Sequence, residues 1–242
     1  DATLYVTLEP CSHFGKTPPC ANLVKESGVK RVVVAMQYPN PSVAGRGIQL
    51  LRDAGIEVEV GLLEEQARRL NERFIHNMLT SRPFVISKFA MTLDGKIATY
   101  SGHSQWITGE EARTNVHELR DEVDAILVGI GTVLKDNPAL TTRLQERTGK
   151  NPIRIVLDRE LRTPLHAQIV QTNEAKTIVV TAEDQQQKAS AFENLGVELL
   201  YVPVIDRKLD LNTMLDELYK RGITDLLVEG GGEVNASFLR HG

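Results

Sequence analysis

The sequence predicts an α/β protein of two domains. Short apolar runs typical of buried strands alternate with segments whose apolar residues recur at helical spacing, the pattern of a parallel sheet covered by helices. One run of turn-forming residues, Thr80-Ser81-Arg82-Pro83, interrupts the alternation. The chain has 242 residues, enough for two hydrophobic cores of modest size. We therefore predict domains over residues 1–81 and 82–242.

The first domain is predicted to contain three strands and three helices. Its strands are short runs of aliphatic and β-branched residues, at 4–8, 31–36 and 56–60. Its helices have apolar residues three and four positions apart, over 21–27, 47–54 and 62–78. The order of elements indicates parallel strands joined by helices.

The second domain continues the same alternation. Strands are predicted at 84–90, 125–128, 153–157, 177–181, 198–202 and 225–228. Helices are predicted at 110–120, 185–195, 211–221 and 233–240, the last of them opened by three consecutive glycines. A second α/β domain accounts for these elements.

Composition and charge exclude several classes of protein. Apolar residues make up 41% and charged residues 25% of the chain, which is typical of globular proteins rather than disordered or membrane chains. The net charge of -4 argues against a nucleic-acid partner, which requires a basic surface. No apolar run has the length of a membrane span, and no basic, apolar leader opens the sequence. We therefore expect a cytoplasmic protein without a membrane partner.

The two cysteines, Cys11 and Cys20, lie on one polar loop. Two thiols are too few for a disulfide framework, and Cys20 opens a predicted helix, where the helix dipole favours a thiolate. Two thiolates and one further ligand would make a three-ligand zinc site with an open position for water. The alternatives are that both cysteines are small buried hydrophobes, or that His13 between them is the third ligand.

Two glycine-rich turns follow predicted strands in the second domain. They are Gly129-Ile130-Gly131-Thr132 and Gly230-Gly231-Gly232. Glycine lets the backbone approach a phosphate closely, and the second turn opens a helix whose free N–H groups could hold a pyrophosphate. Neither turn is a Gly-x-Gly-x-x-Gly fingerprint, so ordinary turn punctuation is the alternative.

Longer strings of the sequence resemble a known family. The loop Glu9-Pro-Cys-Ser-His-Phe-Gly-Lys-Thr-Pro-Pro-Cys20 is similar to the cysteine loop of the bifunctional deaminase–reductases of riboflavin biosynthesis. Similar strings of the reductase half of that family occur at 84–98, 101–108, 125–133 and 136–141. The resemblance covers nearly the whole chain. It implies a cytidine-deaminase-like three-layer domain followed by a dihydrofolate-reductase-like α/β domain.

The resemblance implies a zinc site at Cys11 and Cys20 in the deaminase half. It assigns the third ligand and the proton-transferring Glu to an upstream His-Ala-Glu, which this sequence does not contain. Glu9 is expected to be a structural acceptor rather than a replacement for that Glu. Because the chain opens directly on a strand, and family members continue through further strands beyond the end of this sequence, we expect the chain to be truncated at both ends.

In the reductase half, the resemblance implies NADPH as cofactor. The implied NADPH contacts are Ala90, Trp106, Thr132, Asp136, Gly231 and Gly232. The implied substrate contacts are Ser104, Arg120, Leu140, Arg143 and Glu229, with the arginines suited to a phosphate. Lys88 is a candidate to polarise or protonate the ribose oxygen, and pairing with Asp94 or Glu229 is its alternative role.

The implied function is zinc-dependent hydrolytic deamination of a diaminopyrimidinone phosphoribosylamine, followed by NADPH-dependent reduction of its ribosyl chain to ribityl. The implied partners are this small substrate and a second copy of the chain, bound through the reductase domain. Two other hypotheses stay open: a nucleotide-binding or regulatory module with a structural zinc loop, and a nucleic-acid base deaminase. The acidic charge balance argues against the latter.

Overall fold

The computed structural model describes residues 2–15, 17–145 and 147–241. The chain divides into two compact units, Asp1–Ser81 and Arg82–Gly242. Among the described residues, no helix has both the length and the apolar character needed to cross a membrane.

The first unit is built on a parallel sheet of three strands in the order β1-β2-β3. Its elements in chain order are β1 (Thr3–Leu8), α1 (Cys20–Glu26), β2 (Arg31–Met36), α2 (Arg46–Asp53), β3 (Glu57–Val60), α3 (Glu64–Leu70) and α4 (Glu72–Thr80). In register, Val34 of β2 lies between Val6 and Val60. The predicted strand over 31–36 is confirmed.

Helices cover both faces of this small sheet. On one face, the even-numbered valines Val32 and Val34 pack with Leu51 of α2 in a common apolar cluster. On the other face, Val33 lines a groove together with Leu63, which precedes α3, and Ala67, which lies in α3. Alternate residues of β2 therefore point to opposite helical layers, as the pleat of a strand requires.

The helix predicted over 62–78 is wrong in its bounds, because the structure has two helices there. Asn71 separates α3 from α4, with φ -103° and ψ 15°. Its side-chain Nδ2 donates to the carbonyl of Ala67 at 2.8 Å. The backbone N–H of Asn71 donates to the same carbonyl at 3.0 Å, so Asn71 caps the end of α3 and α4 begins at the next residue.

The second unit is built on a six-stranded parallel sheet with the order β4-β11-β5-β6-β7-β8. Its strands are β4 (Phe84–Ser87), β5 (Ala125–Gly129), β6 (Ile153–Leu157), β7 (Thr177–Ala182), β8 (Glu198–Val202) and β11 (Asp225–Val228), with β9 (Val204–Ile205) and β10 (Lys208–Leu209) in a separate antiparallel hairpin. Its helices are α5 (Glu110–Glu122), α6 (Ile130–Asp136), α7 (Gln168–Gln171), α8 (Ala189–Glu193), α9 (Leu211–Lys220) and α10 (Gly232–His241).

Two apolar cores flank the six-stranded sheet. Leu127 and Ile155 face one core, which contains residues of α9 and Phe238 of α10. Ile126 and Val156 face the other core, which contains residues of α6, α7 and α8. All five residues of β5 are buried, as expected for a central parallel strand covered on both faces.

Several predicted bounds in the second unit are wrong. The strand predicted over 84–90 ends at Ser87, because its partner β11 ends at Val228, the residue paired with Ser87. The helix predicted over 185–195 is a 3₁₀ turn over Glu183–Lys188 followed by α8. Gly131 and Thr132, predicted in a turn, lie inside α6.

Candidate active site and cysteine loop

A cleft of about 330 Å³ lies where β4 and β11 end. Lys88 follows β4 directly and Glu229 follows β11 directly, and both residues line the cleft. Because Ser87 and Val228 are paired in parallel register, the next residue of each strand emerges at the same edge of the sheet. Ligands of open α/β sheets bind at this carboxyl edge.

The cleft brings together nine of the twelve residues predicted for the reductase site. They are Lys88, Ala90, Ser104, Trp106, Thr132, Asp136, Glu229, Gly231 and Gly232. The other three, Arg120, Leu140 and Arg143, are not among the residues that line it.

Glu229 forms ion pairs with both Lys88 and Arg120. Arg120 donates to its carboxylate in a bidentate arrangement, from Nε to Oε1 at 2.8 Å and from Nη2 to Oε2 at 3.0 Å. Lys88 Nζ lies 3.7 Å from Oε2. The Glu229 side chain is only 9% exposed, so the pair is largely shielded from water. Arg120 therefore positions Glu229. Because its guanidinium already donates to this carboxylate, Arg120 has fewer free donors for a substrate phosphate than expected from the sequence.

The segment that follows Leu140 lies beside Arg120. Arg120 Nη1 donates to the carbonyl of Thr141 at 3.0 Å. Leu140 is buried and has a positive φ of 53°. Arg143 is exposed, with Nη1 3.4 Å from Thr141 Oγ1. No carboxylate among the described residues pairs with the Arg143 guanidinium, which leaves it available to an anion.

Trp106 is exposed in the cleft rather than buried in a core. Its side chain is 72% exposed, and the guanidinium of Arg113 lies 4.7 Å from the ring centroid in a cation–π contact. Arg113 also donates from Nη1 to the carbonyl of Thr108 at 2.8 Å. One face of the indole is therefore occupied by Arg113.

Sequence reasoning missed Arg113 and His117 of α5. Together with Arg120 they recur at positions i, i+4 and i+7, so they share one face of the helix. No residue of α5 is fully buried, and its apolar pattern is therefore weak. The regular spacing of arginine and histidine along one helix face was the signal that could have identified them.

The glycine turn before α10 has two distinct steric roles. A Cβ at Gly230 would lie 2.6 Å from Cβ of Val234, and a Cβ at Gly129 would lie 2.7 Å from Val234 Cγ2. These two glycines allow α10 to pack against the ends of β5 and β11. At Gly231 a Cβ would meet nothing within 4 Å, and this residue lines the cleft. The first N–H groups of α10 have no partner within the helix and are available to a ligand.

A second, basic cavity of about 450 Å³ borders the same helix. Its lining includes Glu233 and Val234 of α10, one residue beyond Gly232 of the first cleft. Its four cationic lining residues are Arg159, Arg162, Lys208 and Arg240. Sequence reasoning missed this cavity, because residues from the end of β6, the β9–β10 hairpin and α10 come together only in the fold.

In the first unit, the structure brings the two cysteines of the loop together. The backbone N–H of Cys20 points to Cys11 Sγ at 3.3 Å, and both thiols are free of disulfides. The pKa of Cys20 is raised, chiefly by its hydrogen bond to Cys11, then by burial and by the charge of Cys11. In the free loop the neighbouring sulfur therefore opposes the charge that the start of α1 is expected to favour at Cys20.

Two sulfurs fit zinc in donor type, since thiolates are preferred zinc ligands, but not in number. Across residues 2–15, 17–145 and 147–241, no group of three or more His, Cys, Asp or Glu side chains is arranged to hold a metal ion. The ring of His13 packs edge-on against Tyr38, with centroids 5.8 Å apart. His13 therefore does not complete a three-ligand set with Cys11 and Cys20.

Glu9 is a structural acceptor. Its carboxylate is buried and accepts four backbone N–H groups: Oε2 from Tyr38 and Gly45, and Oε1 from Gly47 and Ile48. These bonds tie the segment before the cysteine loop to the start of α2. With four donors already bound, the carboxylate is committed to this structure and is not placed as a proton shuttle.

Comparison with known proteins identifies the family. Residues 83–242 match the family described as "RibD C-terminal domain". Residues 1–36 match the "Cytidine and deoxycytidylate deaminase zinc-binding region". The first match covers more than half of the chain, and the chain therefore belongs to the RibD family.

Curated relatives and solved structures share this assignment. The chain is 50% identical over 242 residues to "Riboflavin biosynthesis protein RibD" of Actinobacillus pleuropneumoniae, covering 100% of this chain and 64% of the relative. It is 42% identical over 253 residues to the protein of the same name from Escherichia coli, covering 100% of this chain and 67% of the relative. A crystal structure from Thermotoga maritima has a TM-score of 0.83 and 45% identity, covering 99% of this chain and 64% of that one. That protein is described as a diaminohydroxyphosphoribosylaminopyrimidine deaminase/5-amino-6-(5-phosphoribosylamino)uracil reductase. The chain thus spans about two thirds of the length of these relatives.

Proposed function

We propose that this chain carries the reductase site of a bifunctional enzyme of riboflavin biosynthesis, which reduces the ribosyl chain of a deaminated pyrimidine phosphoribosylamine to ribityl with NADPH. The observation that carries the proposal is the Lys88–Glu229–Arg120 network, in which Lys88 and Glu229 line the cleft that also contains the glycine turn of α10. A positioned proton donor and a dinucleotide-type turn in one cleft suit hydride transfer to a phosphorylated sugar.

The residues fit NADPH along a path that crosses α10. The nicotinamide end would lie in the first cleft against Ala90, Trp106, Thr132 and Asp136, all of which line it. The pyrophosphate would lie at Gly231, which is open on its Cβ side, and at Gly232, where the helix begins and where a Cβ would lie 3.3 Å from Cδ1 of Ile97.

The basic cavity on the far side of the start of α10 suits the adenosine end. Arg159, Arg162 and Arg240 line it, and guanidinium groups suit the extra phosphate that distinguishes NADPH from NADH. Arg162 is partly offset by Glu160, 3.7 Å away, and by Asp158 at 4.0 Å. When bound, NADPH would supply the hydride.

The proposed substrate contacts are Ser104 and Glu229 in the cleft, with Arg120, Leu140 and Arg143 on the neighbouring segment. Lys88 has the position of a proton donor, since its ammonium reaches Glu229 and its side chain is 28% exposed in the cleft. We assign to Lys88 the proton that the ribose oxygen takes up as the sugar carbon is reduced. Glu229 and Arg120 would hold Lys88 and the sugar in place.

For the first unit, we propose a cytidine-deaminase-like three-layer domain that binds zinc through Cys11 and Cys20. Zinc would supply an activated water for hydrolytic deamination of 2,5-diamino-6-(5-phosphoribosylamino)pyrimidin-4-one. Because the described residues offer two ligands and not three, we derive no deamination step from them. The alternative is a reductase whose zinc loop is only structural.

We propose that residues 1–81 form the deaminase domain and that residues 82–242 form a dihydrofolate-reductase-like domain.

The proposed setting is the cytoplasm, with a small-molecule substrate, no nucleic-acid partner and self-association through the 82–242 unit. In support, the chain carries a net charge of -4, which does not suit a phosphodiester backbone.

Titration of the full-length protein with NADPH and with NADH tests the cofactor assignment. We expect tighter binding of NADPH, and substitution of Arg159 and Arg162 by Gln is expected to remove most of that preference. Equal affinity for the two nucleotides would contradict the cofactor assignment.

Metal analysis combined with a deaminase assay of the same protein separates the two zinc hypotheses: bound zinc without ammonia release indicates a structural loop.

A further inference from the structure

We propose that His117 is a positioning residue for substrate phosphate: its neutral imidazole fixes the backbone at Arg143, so that the Arg143 guanidinium faces the phosphate. This inference rests on the proposed reductase function and adds to it a residue outside the cleft lining that sets affinity for the phosphorylated end of the substrate.

The geometry ties the Arg143 segment to α5 at two points. The backbone N–H of Arg143 donates to Nδ1 of His117 at 3.2 Å. One helical turn away, Arg120 Nη1 donates to the carbonyl of Thr141 at 3.0 Å. His117 and Arg120, on one face of α5, therefore hold a segment that has no regular secondary structure. Through Arg120, the same face also holds Glu229.

The tautomer of His117 follows from the donors around it. Nδ1 accepts from the Arg143 backbone, and Nε2 lies 3.5 Å from Arg143 Nη2, which can only donate. A neutral imidazole accepts at one nitrogen, so the hydrogen bonds assign the proton to Nε2. His117 therefore accepts a hydrogen bond from the Arg143 backbone but offers no acceptor to the Arg143 guanidinium. Besides the ring, the guanidinium has only Thr141 Oγ1, at 3.4 Å, among its described contacts.

The surrounding charges favour the neutral form of His117. The facing groups are Arg120 on the same helix, Arg143 on the following loop and Glu229 at the end of β11. Burial lowers the pKa of His117, and the charges of Arg120 and Arg143 lower it further against the opposing effects of Glu229 and the Thr141 carbonyl. Protonation would remove the acceptor for the Arg143 backbone and add a positive charge between two arginines.

The pH dependence has a definite direction. A pKa lowered by folding means that the neutral form makes its full contribution above the unfolded value of about 6.5 and loses it as the pH falls through the lower folded value. Affinity for the phosphorylated substrate should therefore decline in mild acid. The phosphate itself gains a proton near pH 6, so a variant that cannot titrate is needed to separate the two effects.

The test compares His117→Phe and His117→Gln in the full-length protein, with His166→Phe as a matched control, since His166 is exposed and lies outside both cavities. We expect His117→Phe to raise KM for the deaminated phosphoribosyl substrate about tenfold, the effect of roughly one hydrogen bond, with kcat nearly unchanged. The dephosphorylated substrate should show no such rise in KM. His117→Gln, whose amide oxygen can accept the same N–H, should retain wild-type KM at neutral pH and show a smaller rise in mild acid.

An equal effect of His117→Phe on both substrates, or no effect on either, would overturn the inference. Hydrogen exchange of the Arg143 amide supplies a readout that needs no turnover: we expect faster exchange in His117→Phe and near-native exchange in His117→Gln. Should the wild-type protein fail to oxidise NADPH, the proposed function fails, while the exchange data and binding of ribose 5-phosphate still decide the role of His117. Unchanged exchange together with unchanged binding would then overturn it.

Discussion

At the scale of single residues, the cleft depends on one shielded carboxylate. Glu229 accepts two hydrogen bonds from Arg120 and lies within ion-pair distance of Lys88. Arg120 and Lys88 lie 32 residues apart in sequence, and Glu229 is 109 residues beyond Arg120. Only the strand order, with β11 between β4 and β5, brings the three together.

Replacing Glu229 by Gln should lower kcat/KM for reduction about 100-fold, the lower end of what general acid catalysis contributes, if Lys88 is the proposed proton donor. Gln keeps the shape of the side chain but leaves Lys88 and Arg120 without a counter-charge. Steady-state rates of NADPH oxidation measure the effect, and Glu193→Gln, at an exposed position of α8, is the control. A rate within about twofold of wild type would contradict the assigned role.

Asp124 makes the stability of the sheet depend on pH at the amino ends of its strands, the edge opposite the cleft. Its Oδ2 accepts from the N–H and hydroxyl of Thr224 at 2.9 and 2.7 Å. Burial raises the pKa of Asp124, but the hydrogen bonds from Thr224 and Asp225 and the charge of Lys150 outweigh burial and lower it overall. A lowered pKa means that the carboxylate stabilises the fold above its unfolded pKa of about 3.9, and that this contribution is lost as the pH falls.

We therefore expect Asp124→Asn to reduce the free energy of unfolding by about 1–3 kcal/mol at neutral pH, the cost of weakened buried hydrogen bonds. The difference from wild type should shrink below about pH 4, where the carboxyl of the unfolded chain takes up a proton while the native carboxylate, with its lowered pKa, is still charged. Urea unfolding at several pH values measures this, with Asp184→Asn as an exposed control. A difference that is independent of pH would contradict the assignment.

At the scale of elements, the sequence predicts buried parallel strands well and connecting elements poorly. The strands β2, β6 and β8 are found at the predicted residues, because continuous apolar runs leave few alternatives. The β9–β10 hairpin was not predicted, since its turn residues Asp206 and Arg207 have φ of 48° and 65° without the glycine that usually marks such turns. Helix α6 was missed because its glycine suggested a turn.

In the glycine turn before α10, Gly230 is needed for packing, and Gly231 is the residue we expect to contact a ligand. Gly230→Ala should lower the free energy of unfolding by about 1–3 kcal/mol, because the new Cβ would meet Val234 at 2.6 Å. Gly231→Ala should leave stability close to wild type, since open space surrounds that position. If the pyrophosphate approaches Gly231, however, this variant should weaken NADPH binding roughly tenfold.

Thermal unfolding and NADPH titration of both variants test this division. Loss of stability in Gly231→Ala, or unaltered stability in Gly230→Ala, would show that the steric account of the turn is wrong. Full NADPH affinity in a stable Gly231→Ala variant would place the pyrophosphate elsewhere.

Gly47, in the first turn of α2, packs against the cysteine loop and has no room for a side chain. A Cβ there would lie 1.9 Å from the carbonyl oxygen of Pro10, the residue before Cys11. Gly47→Ala should therefore displace the loop, destabilise the first unit by about 1–3 kcal/mol and lower zinc uptake by the full-length protein. Gly15→Ala, in the same loop with nothing within 4 Å, is the control and should bind zinc normally. Equal zinc content in both variants would contradict the account.

At the scale of the whole molecule, the two units carry unequal shares of their proposed chemistry. In the 82–242 unit, nine predicted site residues line one cleft, and Lys88 and Glu229 among them follow paired parallel strands to the same edge of the sheet. In the 1–81 unit, Cys11 and Cys20 meet without a third ligand among the described residues. The sequence predicted the cleft residues through family strings, but not His117, Arg113 or the basic cavity, which depend on packing between distant segments.

The central claim is that the cleft transfers hydride from NADPH to the sugar of a phosphoribosyl pyrimidine. Transfer of label is its most direct measurement: the full-length protein is incubated with the deaminated substrate and NADPH carrying deuterium at the transferable position of the nicotinamide. We expect a ribityl product with one deuterium on the reduced sugar carbon, formed by wild type and about 100-fold more slowly by Glu229→Gln. A product without deuterium, or no ribityl product at all, would contradict it.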